Sequence, residues 1–250
     1  MTTLVHDLED AVIDAWPAAE YEDLDGWGLR ASGGPTKRGN SVATLGAGKT
    51  LSLPERIERA EAFYRARGLQ PTFQVGPSAT PAGLDAELAA RGYRVEGESL
   101  AAVADPSEVL ARIARMHETS LAGSPSDAWL QHAGHQSRFR DAFEVFSETL
   151  ARLGTRCRFV SARDARGGLV GTCLGIASED RLGVYSMLVS PEQRRKGVGR
   201  SLLRALAECA LSERMRELYL LVEVDNQTAR SLYTKAGFTE VFRYHYRRLD

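Results

Sequence analysis

Tyr185 to Gly199 reads YSMLVSPEQRRKGVG, and the chain can be organised outward from it. Tyr185, Met187 and Val189 alternate with Ser186 and Leu188 in a β-rich run. Ser190-Pro191 ends that run, because proline has no N–H to give to a ladder. Arg194, Arg195 and Lys196 then precede Gly197-Val198-Gly199. Val198, Leu202, Leu206 and Cys209 recur at helical spacing, so the turn opens an amphipathic helix. The first N–H groups of such a helix have no intrahelical partner. With the positive end of the helix dipole and glycines that permit close backbone approach, they form an anion site suited to a pyrophosphate. A solvated basic turn before an ordinary helix is the plainer reading of this stretch taken alone, since short glycine patterns are weak evidence.

A second element stands downstream. Leu218 to Val224 is an apolar strand, and NQTARSLYTKAGF follows from Asn226 to Phe238. Asn226 is a good N-cap, Ala229, Leu232, Tyr233 and Ala236 share a face, and Gly237 sits at the C-terminal cap. With both elements in view the chain resembles the GNAT superfamily of acyl-CoA-dependent N-acetyltransferases. Arg194, Gly197 and Gly199 fit that family's cofactor signature of Arg or Gln, two residues, Gly, one residue, Gly or Ala. Asn226, Ala229, Leu232, Tyr233, Gly237 and Phe238 fit its second motif. The resemblance covers residues 100 to 249. It implies an α/β (α+β) fold of the GNAT type, with a mixed, mostly antiparallel sheet and flanking helices.

The resemblance also implies acetyl-CoA as co-substrate. Main-chain N–H groups of Met187, Leu188 and Val189 would hold the pantetheine arm and polarise the thioester. Arg194, Arg195, Lys196, Gly197, Val198 and Gly199 would hold the pyrophosphate, with Asn226 lining the same tunnel. Transfer in this family is direct, and Tyr233 would protonate the departing thiolate. Glu223 interrupts an apolar strand, so burial is expected to raise its pKa and make it the proton acceptor, directly or through water; pairing with a cation at the strand edge is the plainer alternative. Tyr185 is a weaker alternative base. The acceptor is an amine, on a small molecule or a peptide, and its identity is not legible. A non-catalytic acyl-CoA-binding regulatory or scaffold module is the alternative function. Retention of Tyr233 argues against it.

Composition sets the bounds. The 250 residues are 43% hydrophobic and 26% charged with a formal net charge of −1, which is ordinary globular composition. So little net charge offers no general field for nucleic acid or an anionic membrane. Cys157, Cys173 and Cys209 show neither close pairing nor metal-ligand spacing and lie in apolar patterns, which suggests buried thiols and a cytoplasmic location. The N-terminal MTTLVHDLEDAVIDAW carries acids through its apolar positions and lacks a signal-peptide core, and no apolar run approaches eighteen residues.

The first hundred residues read as a worn copy of the same design. A helical stripe runs through Leu4, Leu8, Ala11, Val12 and Ala15. Strands follow at 27–32 and 40–45, then a helix over Ile57 to Ala66, a strand at 71–75, a helix at 84–90 and Gly92-Tyr93. That order repeats in residues 184–249, with offsets 237 − 92 = 145 and 185 − 41 = 144. The first copy lacks the Arg-x-x-Gly-x-Gly turn and the tyrosine. Its GAGKT at 46–50 is no Walker loop, because position 43 is alanine where that loop needs glycine. Residues 1–98 are therefore expected to be a degenerate GNAT-like half without a cofactor site, and 99–250 the acetyltransferase domain. In the second half, helices are expected over Val109 to Met116 and Phe139 to Leu153, joined by a loop from Ala122 to Ser137. Trp129, His132 and His135 in that loop are candidates for acceptor contacts; metal binding by the two histidines is the lesser reading. Phe242, Tyr244 and Tyr246 form an aromatic face on the last strand, expected to be core.

Overall fold

Strand β9 (Arg181–Val189) and helix α7 (Val198–Ser212) carry the organising stretch in the computed structural model, which describes residues 2–33, 35–135 and 139–249. Val198, Leu202, Leu206 and Cys209 are all buried on α7, so the stripe read from the sequence is the face that packs. Chain contacts divide the molecule into two units, 1–100 with 242–250 and 101–241. The sequence reading placed 242–250 with the second half. The last strand instead crosses the division: β11 (Thr239–Arg248) pairs antiparallel with β4 (Thr72–Val75), with Tyr246 opposite Gln74. β5 (Arg94–Ala104) crosses the other way, its last four residues belonging to the second unit. β5 and β11 thus each span both units.

The first unit contains α1 (Thr2–Asp14), β1 (Glu20–Leu24), β2 (Trp27–Ala31), β3 (Val42–Ala43), α2 (Leu53–Arg65), β4 and α3 (Leu84–Ala90). Its strand order is β1-β2-β3-β4-β11. β1 pairs antiparallel with β2 and escaped the sequence reading because four of its five residues are exposed. The core gathers Trp27, Phe73 and Tyr93 edge to face, with ring centroids 5.6 and 5.4 Å apart. Phe242, Tyr244 and Tyr246 are buried, as expected of a core face.

In the second unit the strand order from β5 is β5, β10 (Glu217–Glu223), β9, β8 (Leu169–Ser178), β7 (Cys157–Arg163) and β6 (Glu118–Ala122). β9 and β10 are parallel; β6, β7, β8 and β9 pair antiparallel in succession. The helices are α4 (Pro106–Arg112), α5 (Asp127–His135), α6 (Phe143–Leu153), α7 and α8 (Gln227–Ala236). Three expectations are corrected here. Met116 lies beyond α4, Phe139 lies before α6, and the expected loop 122–137 holds α5. That helix has a cap the sequence displayed, Ser126, whose hydroxyl accepts the N–H of Trp129 at 3.2 Å. Residues 136–138 and the side chain of His135 lie outside the described residues.

The order of elements expected of a duplication recurs in the two units, in a register other than the one the sequence suggests. Val42 pairs with Phe73 in the first unit and Leu182 with Leu218 in the second. With Phe73 matched to Leu218 (218 − 73 = 145), Val42 matches Leu182 (182 − 42 = 140) and not residue 186. Five residues are therefore missing from the first copy between strand and helix. The run from Ala43 to the start of α2 is 53 − 43 = 10, against 198 − 183 = 15 from Gly183 to the start of α7. The deficit falls where the second copy carries its basic turn.

Candidate active site

A parallel pair of strands normally continues its slanted hydrogen bonds to the strand ends. Between β9 and β10 the ladder runs from Glu217 opposite Arg181 to Leu220 opposite Val184, and among the described residues it stops there. Five residues of β9 and three of β10 continue past it. The cause lies on the other edge of β9. Leu174 of β8 faces Tyr185 while Thr172 faces Leu188, so three steps on β9 oppose two on β8. Ser186 is the residue that absorbs the surplus, with φ of 45°. Such a bulge bends its strand and raises the local twist, which steers β9 away from β10. Ser186 to Val189 are half-buried where the preceding five residues are buried. The β10 edge of the stretch Met187 to Val189 thus lies past the end of the ladder with β10.

β9 runs on into the basic turn. Arg194, Arg195 and Lys196 are exposed, and the Arg194 Nε donates to the Val189 carbonyl at 3.4 Å. Gly197 has φ of 87° as the N-cap of α7 and supplies no side-chain cap, so the first N–H groups of that 15-residue helix keep their outward donors. A Cβ at Gly199 would lie 3.4 Å from Leu232, 3.7 Å from the Met187 sulfur and 3.9 Å from Val189. The second element therefore meets the first at this point. Asn226 Oδ1 accepts the Ala229 N–H at 3.1 Å and caps α8; it is exposed. Tyr233 is half-buried, with its hydroxyl 4.0 Å from the Met187 sulfur and its ring 5.8 Å from that of Phe238. Burial, and then the neighbouring Cys173, push the Tyr233 pKa up, so the phenol stays protonated across the neutral range.

Glu223 ends β10 on the surface. The burial on which its role as base was expected is absent: the strand's apolar run ends at Val222, and Glu223 is already in solvent. Tyr185 is buried and its hydroxyl donates to that of Tyr219 at 3.2 Å. Trp129 is also corrected. It is 1% exposed, its indole N–H donates to the Val160 carbonyl at 3.0 Å, and its ring stacks on Phe146, so it holds the core and touches no acceptor. His132 is buried with its two ring nitrogens 3.0 Å from the Thr172 hydroxyl and 3.1 Å from that of Ser190. A metal would have to displace both hydroxyls. The three cysteines are free and buried; desolvation pushes Cys157 and Cys209 each up to about 11 and Cys173 further, which leaves no thiolate for nucleophilic work.

In the first unit the turn that follows β3 is held by its own side chains. The Asp25 carboxylate accepts the N–H groups of Lys49, Thr50 and Leu51 at 2.9, 3.2 and 3.0 Å and the Thr50 hydroxyl at 3.1 Å. It thereby takes the position a bound anion would fill in a turn of that kind, and those donors hold its pKa well below the usual carboxylate range. Ser52 and Glu55 close a capping box on α2. Beyond the short β3, the Thr44 hydroxyl donates to the Gln74 carbonyl and the Thr80 N–H to the Thr44 carbonyl, both at 2.8 Å, so the strand ends are tied together where β9 and β10 part.

A family model described as "Probable histone acetyltransferase Rv0428c C-terminal" matches residues 2–247. The chain belongs to that family. The protein YobR of Bacillus subtilis strain 168, described as an uncharacterized N-acetyltransferase, is 29% identical over 267 residues, covering 97% of this chain and 98% of its own. The probable histone acetyltransferase Rv0428c of Mycobacterium tuberculosis is 33% identical over 134 residues, covering 52% of this chain and 38% of its own. Among solved structures, a GCN5-related N-acetyltransferase from Kribbella flavida superposes with a TM-score of 0.69 at 14% identity, over 97% of this chain and 94% of that one. A tandem GNAT protein from the clavulanic acid biosynthesis pathway gives 0.63 at 17%, over 78% and 69%. At such identities the structural likeness shows the fold, which is GNAT. The family membership makes the chain a GNAT-type acetyltransferase. No helix among the described residues is long and apolar enough to cross a membrane.

Proposed function

We propose that this acetyltransferase moves an acetyl group directly from acetyl-CoA to an amine in the second unit. The observation that carries the reading is the end of the β9–β10 ladder at Leu220–Val184, beside the bulge at Ser186. It bares main-chain groups of Met187 to Val189 to an acyl-pantetheine arm, in line with the uncapped start of α7 that would take the pyrophosphate. Arg194, Arg195 and Lys196 would add charge there, and Gly199 the close approach. The amine nitrogen bonds to the acetyl carbon and the carbon–sulfur bond breaks. Tyr233 gives its phenolic proton to the thiolate, and the surplus proton on nitrogen leaves through Glu223 or water.

The raised pKa of Tyr233 works against donation taken alone, because an ordinary phenol near 10 is already a weaker acid than a thiol near 8.5. Burial of a released thiolate beside Tyr233 raises its pKa in the same direction and offsets part of the difference. The first unit, in this reading, binds no acetyl-CoA and serves as a structural or substrate-shaping half. The acceptor is a small-molecule or peptide amine, and the protein acts without nucleic acid or membrane, in the cytoplasm.

The test is release of free CoA from acetyl-CoA over a panel of amino sugars, polyamines, amino acids and lysine-bearing peptides. The peptide arm is included because the mycobacterial relative is named as a probable histone acetyltransferase. Amine-dependent release supports the reading. CoA binding without release on any amine would favour a non-catalytic binding module.

A further inference from the structure

We infer that His132 is a positioning residue for the acetyl-CoA site, holding the end of β9 between its bulge and the basic turn; this rests on the function proposed above. His132 stands on α5. Trp129 fixes that helix to the sheet through the Val160 carbonyl, and Ala133, one turn along the same face, is buried. His132 lies between them in sequence and reaches β8 and the residue just past the end of β9. Its Nδ1 is 3.0 Å from the hydroxyl of Thr172, and Thr172 stands opposite Leu188, beside the register break at the bulge. Its Nε2 is 3.1 Å from the hydroxyl of Ser190, the residue between β9 and the turn that leads to Arg194. Thr172 and Ser190 are themselves 0% and 6% exposed. One imidazole therefore spans the segment Leu188 to Ser190, on which both the expected thioester contacts and the start of the pyrophosphate turn depend.

A neutral imidazole has one donor and one acceptor, and a hydroxyl can play either part, so the bridge is complete with the ring uncharged. Burial holds the His132 pKa below its ordinary 6.5, opposed by the charge of Glu192 in the turn. A depressed histidine pKa makes the bridge fully stable above about 6.5. That contribution is lost as pH falls from there towards the folded-state value, where the ring gains a second donor and one hydroxyl must turn away.

Calorimetric titration of acetyl-CoA into the full chain between pH 5.5 and 8 tests this. The wild-type affinity is expected to weaken towards the acid end of that range, as the ring takes up a proton at its lowered pKa. His132→Leu is expected to bind about tenfold more weakly at pH 7.5 and to lose the acid limb, while His132→Gln, which can still meet a hydroxyl, recovers part of the affinity at pH 7.5. Ser190→Ala and Thr172→Val remove the partners and spare the ring, so they report even if His132→Leu folds poorly; each is expected to weaken binding. Unchanged affinity and an unchanged acid limb in His132→Leu and Ser190→Ala would overturn the inference. Absence of acetyl-CoA binding by the wild type would instead overturn the function on which it rests.

Discussion

Tyr233 separates chemistry from packing with a single oxygen. Its ring contacts Phe238 and its hydroxyl faces the Met187 sulfur, a weak partner for a half-buried phenol. Tyr233→Phe keeps the ring and removes the proton. Turnover with an identified amine should fall by about a hundredfold or more, with acetyl-CoA affinity little changed. Steady-state kinetics beside calorimetry would show it, and unchanged turnover would make Tyr233 a packing residue. Glu223 is exposed at the end of its strand, so water can substitute for it. Glu223→Gln should reduce turnover by less than Tyr233→Phe does, and an equal or larger loss would show that no water path competes. At Asp25 the sign follows from its lowered pKa: the carboxylate's contribution is complete above 3.8 and lost as pH falls below it. Asp25→Asn should melt lower than wild type at pH 7, and the difference should shrink as the pH is taken from 4 towards 2. A difference that does not narrow at all between pH 4 and pH 2 would count against the ionised carboxylate as the cause.

The element that matters most is the start of α7. Gly197 adopts a backbone conformation that side chains rarely share, and a Cβ there would meet the Met116 sulfur at 2.4 Å. Gly197→Glu places a carboxylate at the helix N-terminus, where it would compete with a bound pyrophosphate, and acetyl-CoA binding should be lost. Undiminished affinity in the calorimeter would mean that the anion site lies elsewhere. α7, α8 and both of their glycine-bounded ends were legible because amphipathic spacing and caps are local signals. Less legible was the bulge at Ser186, since a surplus residue shows only against its partner strand. β6 was missed for want of an apolar face, its five residues being half-buried or exposed. His132 reads in the sequence as a candidate acceptor contact in a loop, and only Ser126, a possible cap, hints at the helix that aims it.

At the scale of the whole molecule, the two copies share an order of elements and differ in what fills one turn. The second presents an open helix start after a basic turn, whereas the first is five residues shorter and satisfies the same kind of donors with Asp25. Deletion of 1–98 would take β4 from β11 and strip the cover from Phe242, Tyr244 and Tyr246, all now buried. The remainder should be insoluble or poorly folded, and a soluble fragment with acetyl-CoA-dependent activity would contradict that. In the function proposed above, one half is live and the other is not. Calorimetric stoichiometry of acetyl-CoA on the full chain tests it most directly. One molecule per chain, abolished by Gly197→Glu, is the predicted result; two per chain, or one that survives that substitution, would contradict it.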